Sequence, residues 1–471
     1  QGEIDSFGAR RDEAAEGARL AQVRLEEVRA DYTDEAAKLA SQQTELTRID
    51  TQRAELLAQI EVMKEKTGIT SGAGGKGEDP LTELKSPPPV LLGVRAWSEH
   101  AARELETDAL HRVTLHMKAS GLDYHSRATR AFHTAMKVNE TTQMAVLAGI
   151  SGTGKSQLPR QYAQAMGIGF LQVPVQPRWD SPQDLMGFYN YIEGKFRPTD
   201  LARALYHLDK WNGPAESQDL QDRMMLVLLD EMNLARVEYY FSDFLSRLES
   251  RPGIDQADRQ ELRKDAELEL EIPMPHGEPT PRVFPGYNVL FAGTMNEDES
   301  TQSLSDKVVD RANVMRFAAP KTIMAGTRQG TPAETKALSR TQWRNWVKSV
   351  DGLGSDRGHV ESHVEKMVQH MTALGRPFGH RLGRAMMDYA ANYPEDNGRR
   401  NISTALADQV EMRLLPKLRG VEMEAAGNAL GQLAEYVKTD LNDTVLSDAI
   451  RDSARLADES TGQFVWRGVT R

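Results

Sequence analysis

The sequence predicts an α/β core organised on a parallel sheet, with an α-helical domain C-terminal to it and a coiled coil N-terminal to it. Three observations predict this. The stretch Gly149-Ile150-Ser151-Gly152-Thr153-Gly154-Lys155-Ser156 fits the pattern G-x-x-x-x-G-K-[ST] at every fixed position, between an apolar run at 144–148 and a helix-compatible segment at 157–166. Apolar runs short enough for buried parallel strands recur from Phe170 to Phe317, separated by helical segments. Beyond Pro320 the strand signals stop and helical periodicity continues to the end.

Composition narrows the possibilities. A chain of 471 residues has room for more than one domain and a sizeable core. Its formal charge of −11 requires any contact with nucleic acid to come from a local basic face. It contains no cysteine, which excludes disulfides, thiolate metal sites and thiol catalysis, and fits a reducing, cytoplasmic compartment. No apolar run approaches bilayer length, so no membrane partner is expected.

In chain order, residues 14–63 carry a heptad seam at Ala14, Ala18, Ala21, Leu25, Val28, Tyr32, Glu35, Leu39, Gln42, Leu46, Ile49, Arg53, Leu56, Ile60 and Met63. With no Gly or Pro after Gly17, residues 1–68 read as a long helix that supercoils with a partner; the polar Glu35, Gln42 and Arg53 weaken the seam. Residues 69–91, Gly/Ser-rich and then Pro-rich, read as a linker with nothing to bury, stiffened by polyproline. Residues 92–140, with Trp97, Ala101, Leu105, Val113 and Met117 at helical spacing, lead into an α/β domain ending near 320.

Within that domain, strands are expected at 144–148, 170–175, 224–229, 288–292 and 313–317, and a hairpin at 188–197 around Glu193-Gly194. One amphipathic helix is expected over 234–249, a charged surface insertion over 250–282, and a short helix over 304–311. In the C-terminal domain, 321–471, helices are expected near 360–374, 381–392, 402–418 and 423–456.

The chemistry follows from the ends of these strands. Glycines turn backbone N–H groups inward around phosphate oxygens, and the next helix adds unpaired N–H groups and its positive dipole end. Gly149, Ser151, Gly152, Thr153, Gly154, Lys155, Ser156 and Gln157 are thus the expected nucleotide contacts, Lys155 at the β/γ-phosphates and Ser156 on Mg²⁺. Pro159 falls where a missing N–H costs no helical bond. The run Leu226-Val227-Leu228-Leu229 ends in Asp230, expected in the Mg²⁺ shell, and Glu231, expected to polarise an attacking water. Asn296, ending the following strand, would orient that water. Arg311 could reach a phosphate only from a neighbouring subunit; its alternative is an ion pair with Asp310 or Asp306. Arg381 could touch the γ-phosphate from the C-terminal domain, with Arg384 as its rival.

The segments GISGTGKS, LVLLDEMNLARVEYYFSDFLSRLES, LFAGTMNEDESTQSLSDKVVDRANVMRF and RLLPKLRG resemble the AAA+ superfamily and, within it, the McrB-like branch of restriction motors. The resemblance runs from about Val90 to the C-terminus, and WDSPQDLMGFYNYIEGKFRPTDLARAL looks like that branch's hairpin-bearing insertion. It implies that Lys155 and Ser156 are Walker A residues, Asp230 and Glu231 Walker B, Asn296 sensor 1, Arg311 the arginine finger and Arg381 sensor 2, with a helical lid C-terminal to the NTPase core. It further implies a hexameric ring with sites between subunits, and a separate nuclease partner acting on DNA. The branch reads MNTADRS after the sensor where this chain has Met295-Asn296-Glu297-Asp298-Glu299-Ser300-Thr301, so ATP is expected, with GTP as the alternative. A MoxR-like remodelling chaperone is the second reading. A coiled-coil scaffold switched by nucleotide is the third, disfavoured because Glu231, Asn296 and Arg311 are all present.

Overall fold

Apolar strands with no polar face can be satisfied only in the middle of a sheet covered on both sides, and that requirement organises the chain. The computed structural model describes residues 79–95, 104–274, 278–297, 304–319, 328–331, 336–396 and 398–470. The coiled coil expected at 1–68 lies outside them. Helices α1 (Pro89–Arg95), α2 (Glu106–Ala119) and α3 (Ser126–Lys137) lead into β1 (Met144–Gly149), the phosphate-type loop and α4 (Gln157–Met166). Then come β2 (Gly169–Pro174), α5 (Pro182–Met186), the hairpin β3 (Gly187–Asn190) and β4 (Lys195–Pro198), α6 (Asp200–Leu208) and β5 (Met225–Asp230). The α/β part closes with α7 (Val237–Tyr240), α8 (Ser242–Glu249), β6 (Leu268–Glu269), β7 (Arg282–Val283), β8 (Val289–Asn296), α9 (Asp306–Val309) and β9 (Ala312–Phe317).

Strands β1, β2, β5, β8 and β9 form one parallel sheet in the order β2-β5-β8-β1-β9. β8 lies between β1 and β5, with Gly149 in register with Asn296 and Leu229 with Gly293. Three strand ends that carry chemistry therefore stand side by side, at the edge where open α/β sheets bind ligands. Alternation divides the strands between two cores. Leu147, Leu226 and Leu228 face one that includes Phe132, Tyr162, Met386, Leu406 and Leu433. Val146, Val227 and Leu229 face another with Phe241, Phe244 and Phe291.

The C-terminal part consists of α10 (Arg340–Trp346), α11 (Arg357–Ala373), α12 (His380–Asn392), the short β10 (Glu395–Asp396) and β11 (Arg399–Arg400), α13 (Ile402–Gln409), α14 (Met423–Thr439) and α15 (Thr444–Asp458). It is tied to the α/β part by buried charge: Arg127 of α3 donates to Asp408 and Asp443, each at 2.6 Å. No helix among the described residues is long and apolar enough to cross a membrane.

Several expectations are corrected. Residues 79–91 are not linker: Leu84 and Leu91 are fully buried, the Pro80 carbonyl accepts from Phe196 N–H, and Pro89 opens a helix where polyproline was expected. The helix expected over 234–249 is broken into α7 and α8 at Phe241, whose φ is −119°. Tyr240 and Phe241, on either side of the break, are both fully buried. The insertion at 250–282 exposes most of its charged residues, as expected of a surface segment, but it is also anchored by buried charge. Arg263 donates to both carboxylate oxygens of Asp209 at 2.7 Å and stacks on Phe284. The helix expected over 423–456 is two, divided where Asn442 takes φ +55° and Asp443 caps α15. The helix expected over 402–418 passes through a π turn at Val410–Leu414, within which Arg413 donates to the Ala312 and Asp310 carbonyls.

Candidate nucleotide site

The loop between β1 and α4 is built from conformations that only glycine adopts freely. Gly149, Gly152 and Gly154 have φ of +141°, +83° and +86°. A Cβ on Gly149 would come within 2.4 Å of the Phe317 carbonyl oxygen on β9, and one on Gly154 within 2.6 Å of the Tyr124 hydroxyl. That hydroxyl donates to the Gly154 carbonyl at 2.8 Å, and the Tyr124 ring meets Phe317 edge-on, so the loop is braced from the segment before α3. Burial raises the Tyr124 pKa, keeping the hydroxyl a donor. Ser151 and Gly152 are exposed, and Thr153 Oγ1 donates to the Ile150 carbonyl at 3.0 Å. Lys155 is buried and its ammonium also reaches the Ile150 carbonyl, at 2.5 Å. Gln157 begins α4, and its N–H bonds the Gly154 carbonyl at 2.9 Å.

Across the strand ends, Asp230 collects the donors. Ser156 Oγ lies 2.8 Å from Asp230 Oδ1, and Thr294 Oγ1 donates to the same oxygen at 2.7 Å. Gln172 of β2 donates to the other carboxylate oxygen. Glu231 follows in a left-handed conformation, φ +53°, that costs a non-glycine residue energy and turns its side chain out of the strand direction. The turn is held by Thr294, whose hydroxyl accepts the Glu231 N–H at 2.8 Å. Asn296 Nδ2 donates to Glu231 Oε1 at 3.0 Å, and Asn233, itself buried, holds the Asn296 carbonyl at 2.8 Å.

The structure thus brings together Ser156, Asp230, Glu231 and Asn296 beside the loop. Arg311 and Arg381 form a second cluster. Arg311 pairs with neither Asp310 nor Asp306 but with Glu249, which also binds Arg381. Arg384 is 3.9 Å from Asp388, whose carboxyl burial raises to about 6. Sequence reasoning missed Thr294, Gln172, Tyr124 and Glu249. Thr294 was within reach, because residues two apart on a strand share a face and Asn296 was already singled out. Gln172 is a polar residue inside an apolar strand, which is also a signal.

Comparison with known proteins adds little to this geometry. A family model described as a domain of unknown function, DUF8727, matches residues 336–460, within the C-terminal helical part. No curated protein matches the sequence. Among solved structures the chain is similar to a candidate ATPase from Cytophaga hutchinsonii, at 16% identity over 65% of this chain and 85% of that one, with a TM-score of 0.37.

Proposed function

We propose that this chain is an AAA+ nucleoside triphosphatase that hydrolyses ATP, with GTP as the alternative, in the presence of Mg²⁺. The observation that carries the reading is the Ser156–Asp230 contact at 2.8 Å, which joins the end of the phosphate-type loop to the acidic end of β5. Mg²⁺ characteristically takes one or two protein oxygens and completes its shell with phosphate and water, so this donor pair fits it. When bound, the ion supplies charge that offsets the phosphate oxygens. Gly149 to Gln157 would surround the phosphates with backbone N–H groups, and Lys155 would exchange the Ile150 carbonyl for a phosphate oxygen. Glu231, held by the Asn296 amide, would accept a proton from the attacking water. Thr294 and Gln172 hold Asp230 in its orientation.

The finer reading rests on motif resemblance. The chain is a McrB-like motor that works as a hexameric ring, takes Arg311 from the neighbouring subunit and Arg381 from a C-terminal lid, and drives a separate nuclease partner on DNA in restriction or anti-phage defence. Residues 1–68 recruit a coiled-coil partner. The test is phosphate release by the full chain from ATP and from GTP with Mg²⁺, with and without DNA, alongside sedimentation. Magnesium-dependent release that DNA accelerates, from an assembly that grows with nucleotide, is expected. Release indifferent to DNA removes the restriction motor, and no release from either nucleotide removes the enzyme.

A further inference from the structure

α8 ends on a glutamate, which is the wrong charge for a helix C-terminus. The macrodipole leaves negative charge there, and a carboxylate in that position needs cations beside it. Glu249 has two. Arg311 donates through Nε at 3.0 Å and Nη2 at 2.5 Å to Oε2, while Arg381 donates through Nη1 at 2.6 Å to Oε1. Arg311 is further fixed by Nη1 to the Lys307 carbonyl at 2.9 Å. One carboxylate thus joins the end of α8, the turn after α9 and the start of α12. Asp310 borders the cluster, 3.6 Å from Arg381 and bonded to Lys417.

We propose that Glu249 is a positioning residue for the reaction: it sets the directions of the Arg311 and Arg381 guanidiniums, so that hydrolysis, and not nucleotide binding, depends on its charge. The inference rests on the proposed function, in which Arg311 comes to the transferring phosphate from the neighbouring subunit and Arg381 from the C-terminal lid. Glu249 occupies the Nε/Nη2 edge of Arg311 and the Lys307 carbonyl holds the remaining nitrogen, so the guanidinium plane is set before any anion arrives. A free arginine side chain carries about 2 kcal/mol of rotamer entropy, and a donor already aimed gives up less of it when charge develops on the phosphate. Without the carboxylate, two guanidiniums held close would repel each other and splay. Burial alone would raise the Glu249 pKa, but the Arg311 and Arg381 charges outweigh it and hold the carboxyl below its ordinary range, so it is ionised at neutral pH.

The experiment uses the full chain with ATP and Mg²⁺, comparing wild type, Glu249→Gln and Glu249→Asp. Glutamine keeps the shape but offers one arginine an amide N–H in place of an acceptor. The ion pairs are partly exposed, so the thermal midpoint should stay near wild type. The expected result is an unchanged KM and Kd for nucleotide, a kcat about 10- to 100-fold lower in Glu249→Gln, and partial recovery in Glu249→Asp. Wild-type kcat in Glu249→Gln overturns the inference. So does a kcat that falls only in step with the thermal midpoint, since that is a structural ion pair. A wild-type chain that releases no phosphate overturns the phosphohydrolase reading, and this one with it.

Discussion

Thr294 makes two bonds with one hydroxyl, donating to Asp230 and accepting from the Glu231 N–H. It is buried, so Thr294→Val leaves a main-chain donor without its partner and a carboxylate with one donor fewer. Such a loss costs about 1–3 kcal/mol, and phosphate release should fall because Glu231 is no longer held in its left-handed turn. Urea denaturation and steady-state turnover measure the two effects, and Thr294→Ser, which keeps the hydroxyl, should stay close to wild type in both. At this scale the loop was legible and its supports were not. Gly149 to Ser156 is contiguous, so the motif can be read along the chain. The contacts of Thr294, Gln172 and Glu249 exist only because β8 and β2 flank β5 and because α12 starts beside α8. None of those neighbours adjoins the other in sequence.

Among elements, strands were read most faithfully because an apolar run admits few alternatives, and β1 and β9 begin and end within a residue or so of expectation. Helices failed where one period covered two elements. The apolar spacing through α7 and α8 is continuous, yet the chain breaks at Phe241 between them. Most charge in the segment from 250 to 282 is solvated, as its composition indicates, but Arg263 is not: it forms a buried pair with Asp209, with side chains only 2% exposed. Removing one partner of such a pair strands the other charge and costs about 3–5 kcal/mol. Asp209→Ala should therefore lower the urea midpoint sharply, whereas Asp209→Leu combined with Arg263→Met should recover most of the loss. A single variant as stable as the double one would show that water reaches the charge.

At the scale of the whole described unit, buried charge joins the α/β part to the helices that follow it. Glu106 of α2 accepts from Lys137 at 2.6 Å and lies 2.8 Å from a ring nitrogen of His133, while Lys137 also donates to the Asn392 carbonyl at 2.9 Å. Burial would raise the Glu106 pKa, but His133 and Lys137 prevail and lower it from 4.5 to about 2. A carboxyl depressed in the folded state contributes stability that is complete above the unfolded pKa. For Glu106 that contribution is present above pH 4.5 and is lost as pH falls towards about 2. Burial lowers the His133 pKa from 6.5, so its contribution also declines as acid is added below pH 6.5. Thermal midpoints measured across this range should fall steadily, and Glu106→Gln should flatten the lower part of the curve. An unchanged slope in that variant would assign the acid loss to other carboxylates.

The proposed hydrolysis at the junction of the loop with Asp230 and Glu231 is best probed with Glu231→Gln, because the amide keeps the Asn296 contact while losing the base. ATP affinity and phosphate release are measured on the same preparation of this variant and of wild type. Affinity within a few-fold of wild type, with release reduced by about 10²- to 10⁴-fold, is the predicted result. Equal rates of release from the two proteins would contradict it.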